Sequence, residues 1–492
     1  MANTESWGSR VGLILAMAGN AVGLGNFLRF PVQAIQNGGG AFIIPYLVCF
    51  LLMGIPLLWV EWSMGRFGGR KGNHSTPFIL HEMDPKRALW KYIGVFGIFT
   101  NIAVAAYYCY LESWTLSYLW HSIAGTFNGQ TADQVAGFFG NYVDINTSTT
   151  GIPFEPIVFW IICLLLNTWI LAKGLSGGVE KVAKVGMPLL ILFGIFLAIM
   201  AVTLKSGEHG AVNDGTVGLN FLWTPDYSSI WTAKVWLAAA GQIFFTLSVG
   251  MGSIQCYASY VKKKDDIALN AMSAGWMNEF VEVVLGASII IPISIGYLGI
   301  DRVVEMTQSG GLGLGFKTLP YLFTQWGPTL AMIAGVCWFG LLFFAGITSS
   351  LAMGTPVMGF LKDEFGWKHK NAAWFFGLII LVLGLPTVLY FNEGVFDEYD
   401  YWAGTVGLVV FALFEIILFA WVFGMDKGWK EITAGADIKV PTIFRFIIKY
   451  VTPLFIGGVF VASLPGILEK ITSTGLPWQV HAARVLLLLM FA

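Results

Sequence analysis

Two short glycine motifs, each in the middle of a long apolar run, contain residue types that could bind ions or a small solute. Residues 19–26 read GNAVGLGN, and residues 246–253 read TLSVGMGS. Paired glycines weaken a helix, and backbone groups freed at membrane depth must be satisfied by a buried cavity or a ligand. The N–H groups that begin a half-helix suit an anion, and freed carbonyl oxygens suit a cation. Close packing of small residues between helices is the alternative interpretation.

The composition of the chain is typical of a membrane protein. Of its 492 residues, 56% are hydrophobic and 12% are charged, whereas soluble domains carry about 25% charged residues. One helical span takes roughly 20 apolar residues, so the chain has room for about a dozen spans. A soluble multidomain enzyme, a disordered chain and a secreted disulfide scaffold are excluded. The net charge of -1 gives no reason to expect nucleic acid as a partner, and membrane lipid is the expected surrounding.

Twelve apolar runs predict an all-α integral membrane protein with about 12 transmembrane helices. The last run has only about 15 residues, fewer than a full span needs, so we expect the twelfth helix to be truncated or to span incompletely. The runs lie at residues 11–36, 41–64, 89–122, 155–173, 182–204, 234–258, 267–298, 329–360, 371–390, 400–424, 441–465 and 478–492.

Basic residues are concentrated in alternate loops. Lys and Arg are frequent in segments 66–87, 173–184, 262–264, 362–370 and 427–449. The loop 123–154 contains none. Basic loops remain in the cytoplasm, which predicts a multi-pass protein of the inner (plasma) membrane with a cytoplasmic N-terminus.

The two glycine motifs occupy matching places in runs of opposite direction. The first run starts inside and the sixth starts outside, which a five-helix unit repeated in inverted orientation would produce. We therefore expect a single domain over 1–492. It would contain inverted repeats at 10–204 and 232–424, followed by two helices at 441–492.

Longer strings around both motifs match a known family. They are GNAVGLGNFLRFP at 19–31, NGGGAF at 37–42, YY at 107–108, ESW at 112–114, GQIFFTLS at 241–248, YASY at 257–260, FAGITSS at 344–350 and YWAGT at 401–405. From Trp7 to about Pro453 the chain resembles the neurotransmitter:sodium symporters, and among them the bacterial leucine transporters. The resemblance implies a LeuT-like fold, a 5+5 inverted repeat with broken helices 1 and 6. It also implies Na+-driven amino-acid uptake by alternating access, without catalysis.

The resemblance implies two sodium ions. Na+ prefers oxygen ligands, which carbonyl, hydroxyl and amide groups supply. The first site would use the substrate carboxylate with Ala21, Asn26, Thr246 and Asn278. The second would use Gly19, Val22, Ala345, Thr348 and Ser349. The last three share one helix face; hydrogen bonding of the two hydroxyls to carbonyls of their own helix is the alternative.

The resemblance also implies an amino-acid site between the two motifs. The substrate carboxylate would meet Leu24, Gly25 and Tyr108, and its ammonium would meet Ala21, Phe245, Thr246 and Ser248. Gly23 stands where monoamine transporters of the family have an Asp, which favours a substrate that brings its own carboxylate. The side chain would lie in an uncharged pocket formed by Val104, Tyr108, Phe245, Met251, Ser349 and Met353. Met251 and Met353 replace a Phe and an Ile of the bacterial leucine transporters. Because methionine is flexible, they predict a range of apolar substrates: leucine, methionine, valine or alanine.

Carboxylates inside predicted spans are costly and functional by default. Glu282 stands where chloride-dependent relatives have a serine, so the resemblance implies that it supplies the negative charge and that no chloride is required. A protonated structural acid is the alternative. We expect Glu61, Glu112, Glu279 and Glu415 to hydrogen-bond to broken-helix backbone or to neighbouring helices, and none of them to carry protons.

The family's gates match further residues. Arg29 and Asp400 match the outer gate, with Tyr108 and Phe245 as an aromatic lid beneath it. The inner gate matches Trp7, Tyr260 and Asp363. Thr4 stands where the bacterial leucine transporters have the arginine of that gate. We therefore expect either a less firmly closed cytoplasmic side or Arg10 in place of that arginine.

An intramembrane enzyme, a channel and a substrate sensor are the alternatives to transport. All six histidines lie in loops or near predicted helix ends, and the sequence has no HExxH motif, which disfavours hydrolytic chemistry. Gates on both sides of a site favour occlusion over a channel. A membrane amino-acid sensor or binding protein of the same fold, with little net transport, stays open. A homodimer also stays open, because the family's dimer contacts involve the last helices.

Overall fold

The computed structural model describes residues 5–145, 153–227, 230–308 and 310–492; Thr4 lies outside them. The described residues form helices and no strands. The helices are α1 (Arg10–Ala21), α2 (Leu24–Gln36), α3 (Gly40–Gly69), α4 (Thr76–Met83), α5 (Leu89–Ala124), α6 (Ala132–Tyr142), α7 (Phe154–Leu171), α8 (Leu175–Val202), α9 (Gly215–Trp223), α10 (Ala233–Leu247), α11 (Ser253–Ala258), α12 (Ile267–Leu298), α13 (Ile300–Thr307), α14 (311–324), α15 (Pro328–Phe365), α16 (His369–Leu389), α17 (395–424), α18 (Met425–Thr433), α19 (Ile443–Thr472) and α20 (Trp478–Phe491).

The predicted all-α membrane architecture is confirmed. Among the described residues, nine helices are long and apolar enough to cross a membrane, and the bent pair α1–α2 makes a tenth span. The interrupted pair α10–α11 and the short helix α20 coincide with the remaining two apolar runs. Helix α20 has 14 residues. At about 1.5 Å per residue it is about 21 Å long, shorter than a hydrocarbon core of about 30 Å.

Six helices lie outside the apolar runs and were not predicted: α4, α6, α9, α13, α14 and α18. They are short connections, whose pattern is too brief to read as a span. Helix α6 had a recognisable start, because Thr131 and Gln134 form a capping box. The backbone N–H of Thr131 donates to Oε1 of Gln134 at 2.9 Å, and that of Gln134 donates to Oγ1 of Thr131 at 3.3 Å.

The broken helices lie in the centre of the bundle. Helix α1 packs against α8, α12 and α15, while α10 and α11 pack against α3. The second half of α1, from Ala16 to Ala21, is buried on every side, as expected for a helix surrounded by others. Both glycine motifs are therefore enclosed by protein, where freed backbone groups can be satisfied.

Candidate substrate and ion site

The first break separates α1 from α2 by two residues and bends the chain by 52°. Val22 has an extended backbone (φ -71°, ψ 98°), and so has Gly23 (φ -123°, ψ -169°). Oδ1 of Asn26 accepts a hydrogen bond from the Gly23 N–H at 2.8 Å. The Leu24 N–H, at the start of α2, donates to the hydroxyl of Tyr108 at 2.9 Å. The start of a half-helix is thus held against a tyrosine hydroxyl in the protein interior.

The second break comprises residues 248–252, between α10 and α11. Ser248, Gly250 and Gly252 have positive φ angles of 53°, 72° and 88°. Glycine adopts such angles freely, and a side chain rarely does. The Gly250 N–H donates to Oε1 of Glu61 at 2.7 Å, and the Met251 carbonyl accepts from Nδ2 of Asn101 at 2.6 Å. Side chains of neighbouring helices therefore replace the helical hydrogen bonds that this break removes.

The two breaks face each other across one cavity. Oγ of Ser248 donates to the Asn20 carbonyl at 3.0 Å, and Oγ of Ser253 donates to Oδ1 of Asn20 at 3.1 Å. The residues that line the cavity are Asn20, Ala21, Gly23, Gly25, Asn26, Val104, Tyr108, Phe245, Thr246, Ser248, Met251, Ser349, Met353, Gly404 and Leu408. Eleven of the 12 predicted substrate residues are in this set, and Leu24 adjoins it through its bond to Tyr108.

Three lining residues were missed: Asn20, Gly404 and Leu408. Asn20 belongs to the first glycine motif, and Gly404 belongs to the matched string at 401–405. Both could therefore have been predicted as lining residues from the sequence. Gly404 lies in a π-helical turn, Asp400–Gly407. Such turns are frequent at functional sites. The periodicity of a regular α-helix does not reveal which residues of a π-helical turn face the cavity.

Two glycines in this cavity have no room for a side chain. A Cβ on Gly23 would lie 2.6 Å from the Tyr108 hydroxyl and 3.0 Å from Oγ of Ser349. A Cβ on Gly25 would lie 2.3 Å from the ring of Phe245. Glycine at these positions lets the backbone approach the cavity closely, as expected where peptide groups themselves contact a ligand.

A buried cluster of amides, a hydroxyl and a carboxylate adjoins the cavity at the residues predicted for the first ion. Nδ2 of Asn26 donates to Oδ1 of Asn278 at 2.8 Å and to Oγ1 of Thr246 at 3.1 Å. Oγ1 of Thr246 donates to Oε2 of Glu282 at 2.5 Å. Glu282 also accepts from Tyr46, at 2.7 Å, and from Gln242. One continuous network therefore joins the cavity to a fully buried carboxylate.

A second group of oxygens lies between α1 and α15, at the residues predicted for the other ion. Oγ of Ser349 lies 3.2 Å from the Gly19 carbonyl and 3.4 Å from the Val22 carbonyl. Oγ1 of Thr348 donates to carbonyls of its own helix, 2.8 Å to Phe344 and 3.2 Å to Ala345. These bonds are the alternative considered for Thr348; because the hydroxyl donates in them, its lone pairs stay free to bind an ion.

Three comparisons with known proteins bear on this arrangement. A sequence profile of the sodium:neurotransmitter symporter family matches residues 4–137 and 128–490. The chain belongs to this family. The symporter is 31% identical over 475 residues to a sodium-dependent transporter of Methanocaldococcus jannaschii, covering 95% of this chain and 92% of that one. It is 25% identical to the sodium-dependent nutrient amino acid transporter 1 of Drosophila grimshawi, covering 93% and 76%.

The solved structures include a similar fold. A crystal structure of MhsT in complex with L-phenylalanine matches the symporter with a TM-score of 0.80 and 30% identity, over 94% of this chain and all of that one. The LeuT-like architecture implied by the resemblance is confirmed. The symporter is a multi-pass membrane protein of a sodium-dependent transporter family with amino-acid transporters among its members, and that family is not enzymatic.

The other buried carboxylates of the symporter bind neutral donors. Glu61 accepts from the second break, as described. Glu112 accepts from Nδ2 of Asn167 at 2.9 and 3.1 Å, and from the Ser350 hydroxyl. Glu415 accepts from Gln255 on α11. Nδ2 of Asn278 lies 3.4 Å from Oε1 of Glu279. Glu61, Glu112 and Glu415 thus contact a break or a neighbouring helix, as the sequence predicts, whereas this contact of Glu279 lies within its own helix.

At the end of the bundle opposite the start of α1, Arg29 and Asp400 line a cavity of about 260 Å³. The Arg29 guanidinium lies 4.4 Å from the ring centre of Phe245. The Tyr107 hydroxyl donates to Oδ1 of Asp400 at 2.7 Å. In the described part of the symporter, no ion pair joins Arg29 to Asp400, and Nη1 of Arg29 has no hydrogen-bond partner. The predicted gate residues share a cavity, with Arg29 lying on the predicted aromatic lid.

At the end of the bundle where α1 begins, Asp363 is bound by neutral donors, and no arginine pairs with it among the described residues. Its Oδ2 accepts from the His74 N–H at 2.7 Å, and from both the N–H and the hydroxyl of Ser75 at 2.9 Å. Nε1 of Trp7 donates to the Tyr257 carbonyl at 3.1 Å. The expectation that Arg10 would stand opposite Asp363 is wrong. Arg10 instead pairs with two other carboxylates, described below.

His74 is a partly buried base with a lowered pKa. Its ring stacks on Tyr260 at 4.2 Å, and Nδ1 lies 2.8 Å from the Ser259 hydroxyl. Burial, and to a smaller degree the positive charge of Lys362, lowers the pKa of His74 to about 4, against about 6.5 in an unfolded chain. Between these values the unfolded chain binds more protons, so folding is weakened as the pH falls, by up to about 1.4 kcal/mol per pH unit.

We expect the thermal midpoint of the symporter in detergent to fall between about pH 6.5 and pH 4. Replacing His74 with Gln should flatten this fall, because the substitution removes the group that binds the proton. The exposed His209 is the matched control, and His209→Gln should keep the wild-type profile. A His74→Gln variant whose midpoint falls as steeply as that of the wild type would contradict the prediction.

Proposed function

We propose that this symporter carries apolar α-amino acids, such as leucine, methionine, alanine or valine, together with two Na+ ions by alternating access. The proposal rests on one observation above all: two helix breaks face each other across one enclosed cavity. Among the described residues that line it there is no Asp, Glu, Lys, Arg or His. A substrate of that cavity must supply its own charges, and a zwitterion supplies one of each sign.

The backbone directions at the breaks suit a zwitterion. Helix α2 begins at Leu24, and helix N-termini favour anions. The Tyr108 hydroxyl accepts from the Leu24 N–H and so keeps its own proton to donate to a carboxylate. Helices α1 and α10 end at Ala21 and Leu247, and helix C-termini favour cations. The substrate carboxylate would lie at the Leu24 N–H and the Tyr108 hydroxyl. Its ammonium would lie near the ends of α1 and α10, next to Ser248.

The rest of the cavity is apolar, which supports an apolar side chain. Val104, Met251, Met353 and Leu408 line it. Methionine side chains adapt to different shapes, so they would accept both branched and straight side chains. The comparisons are consistent with this substrate class, since one relative is named a nutrient amino acid transporter and MhsT was solved with L-phenylalanine.

Sodium would bind at the two oxygen groups described above. The first ion would use the Ala21 carbonyl and the side chains of Asn26, Thr246 and Asn278, completed by the substrate carboxylate. That shared ligand would couple ion binding to substrate binding. The second ion would use carbonyls of Gly19, Val22 and Ala345 with the hydroxyls of Thr348 and Ser349, and would join α1 to α15. Oxygen donors of these kinds suit a hard cation.

The driving force is sufficient for accumulation. A membrane potential of about 100 mV contributes roughly 2.3 kcal/mol for each charge moved inward. Every 1.4 kcal/mol corresponds to about tenfold accumulation. We place the symporter in the inner membrane with a cytoplasmic N-terminus, on the strength of the basic loops, and assign the inverted repeats to 10–204 and 232–424.

Chloride independence follows in this proposal from Glu282, whose carboxylate lies 2.5 Å from Oγ1 of Thr246. Uptake by the wild type should be the same with chloride or with gluconate. The Glu282→Ser variant should lose uptake in gluconate and regain it with chloride, because the ion would restore the missing negative charge. Glu415→Gln, which neutralises another buried acid, should not acquire this dependence. Chloride-independent uptake by Glu282→Ser would contradict the assignment.

The substrate class can be tested by competition. Purified protein in detergent would bind labelled leucine in the presence of Na+, and the other amino acids and dopamine would be added in excess. Leucine, methionine, valine and alanine should displace the label, and glutamate, lysine and dopamine should not. Replacing Na+ with choline should abolish binding. Displacement by glutamate or dopamine, with none by leucine, would overturn the substrate assignment.

A further inference from the structure

Arg10, the first residue of α1, is bound to two segments that lie far away in the sequence. Its Nε donates to Oδ1 of Asn270 at 2.8 Å. Its Nη1 donates to Oδ2 of Asp437 at 3.0 Å, and its Nη2 lies 3.6 Å from Oδ2 of Asp266. We call Arg10, Asp266 and Asp437 the inner cluster. It connects the start of α1 to the loop before α12 and to the loop between α18 and α19.

The carboxylate of Asp266 is positioned independently of Arg10, and it also binds the backbone of Asp437. Oδ1 of Asp266 caps α12 by accepting from the Leu269 N–H at 2.9 Å. Its Oδ2 accepts from the Asp437 N–H at 2.8 Å. Asp266 is only 3% exposed, whereas Arg10 and Asp437 are 49% and 60% exposed. Asp266 is thus fixed in place and holds the backbone of Asp437, whereas Arg10 is carried by α1.

A buried arginine, Arg66, binds both of these loops. Arg66, at the end of α3, is fully buried and donates to the carbonyl of Asp265 at 2.8 Å and to that of Ala434 at 3.1 Å. Arg70 pairs with Glu431 on α18 at 2.5 Å. The loops before α12 and after α18 therefore form one unit with α3, and neither Arg66 nor Arg70 contacts α1 through these bonds.

A cavity of about 400 Å³ lies between the start of α1 and this unit. Trp7, Arg10 and Leu13 line it from one side, and Asp266 and Asp437 from the other. The segment just before α1 is bound to α8, where Glu180 accepts from the Gly8 N–H at 2.7 Å and from the Ser9 hydroxyl at 2.9 Å. Separation of α1 from the loops would widen this cavity.

We propose that the inner cluster is the ionic contact that keeps the inner pathway closed, and that α1 must release Asp266 and Asp437 before the pathway opens. This inference rests on the proposed alternating-access function. It assigns to Arg10 a role that Asp363 cannot share, because Asp363 is bound to His74 and Ser75. Half-exposed ion pairs are worth little individually, so the contact can break and reform in each cycle.

Opening of the inner cavity can be measured with a thiol at Leu13, which lines the cavity and is 3% exposed. The five native cysteines are buried, and parallel samples without the Leu13→Cys change give their background. The rate of modification by a charged methanethiosulfonate is measured in detergent, without substrate. In the Leu13→Cys background, Arg10→Ala should raise this rate about fivefold to tenfold, as expected for loss of two or three weak polar contacts.

Two further variants make the test specific. Asp437→Asn should raise the rate several-fold, and adding it to Arg10→Ala should raise it no further, because Asp437 acts through Arg10. Lys262→Ala, a basic residue of the same cavity with no ion pair among the described residues, should leave the rate unchanged. Unchanged rates in both the Arg10 and the Asp437 variant, additive effects, or an equal rise in Lys262→Ala would overturn the inference.

Modification of the cysteine at Leu13→Cys requires neither sodium nor an amino acid. The labelling experiment therefore tests the inner cluster independently of the proposed transport function. If the wild type takes up leucine but Arg10→Ala and Asp437→Asn leave Leu13→Cys protected, transport stands and the inner cluster is not its gate. If the variants expose Leu13→Cys but the wild type shows no sodium-driven uptake, the cluster closes the cavity and the transport function is wrong.

Discussion

Replacing Thr348 with valine is expected to abolish sodium-dependent uptake while leaving the protein folded. Valine keeps the shape of threonine and removes its oxygen. In the structure that oxygen donates to carbonyls of its own helix, 2.8 Å to Phe344 and 3.2 Å to Ala345, and a hydroxyl that donates can still accept or coordinate an ion through its lone pairs. Loss of one oxygen ligand from an ion site should weaken Na+ binding by about 100-fold, since a hydrogen bond to a charged group is worth roughly 1.5–3 kcal/mol.

The control is another threonine of the same helix. Oγ1 of Thr355 lies 3.4 Å from the Leu351 carbonyl, so Thr355→Val makes the same change of side chain on α15 away from the proposed ion. Na+ affinity is read from the sodium dependence of labelled leucine binding, and folding from the thermal midpoint. Equal, small effects of both variants would mean that Thr348 only bonds to its own helix. Asn278→Ala should behave like Thr348→Val, because it removes an amide oxygen from the first ion.

Replacing Gly23 with alanine is expected to reduce amino-acid binding by at least about 100-fold. The added methyl group would lie 2.6 Å from the Tyr108 hydroxyl and 3.0 Å from Oγ of Ser349. Both atoms are side-chain ends, so they would move aside and the fold would survive. Their movement would break the bond between Tyr108 and the Leu24 N–H and would fill the place proposed for the substrate carboxylate.

Gly241 provides a matched control for this substitution. It lies within α10, and a Cβ there would meet nothing within 4 Å. Alanine also favours the helix more than glycine does, so Gly241→Ala should bind leucine like the wild type, with an equal or higher thermal midpoint. Binding is measured by equilibrium titration of labelled leucine in saturating Na+. Wild-type affinity in Gly23→Ala would show that the substrate does not lie against the first break.

The spans and the breaks could be predicted from the sequence because their causes are local. Long apolar runs require helices in a bilayer, and Gly250 and Gly252 adopt positive φ angles that other residues rarely take. The cavity lining followed largely from the resemblance, since the matched strings contain 11 of its 15 residues. Leu408 lies outside those strings, and no local signal distinguishes it from any other leucine of a buried helix.

The contacts at the two ends of the bundle could not be predicted, because they depend on distant segments. Arg10 and Asp437 are 427 positions apart, and nothing in the local pattern pairs them. Arg10 was one of two alternatives for the missing partner of Asp363, yet the loop at His74 supplies neutral donors instead. Long charged side chains have many acceptors within reach, so which one they bind is decided by tertiary packing.

Uptake of labelled leucine into liposomes that contain the purified protein tests the central claim most directly. With Na+ outside and K+ inside, and an inside-negative potential, leucine should accumulate above its external concentration, and the accumulation should collapse when the sodium gradient is dissipated. Sodium-dependent leucine binding without any uptake under these conditions would contradict transport and would assign the protein as a membrane sensor.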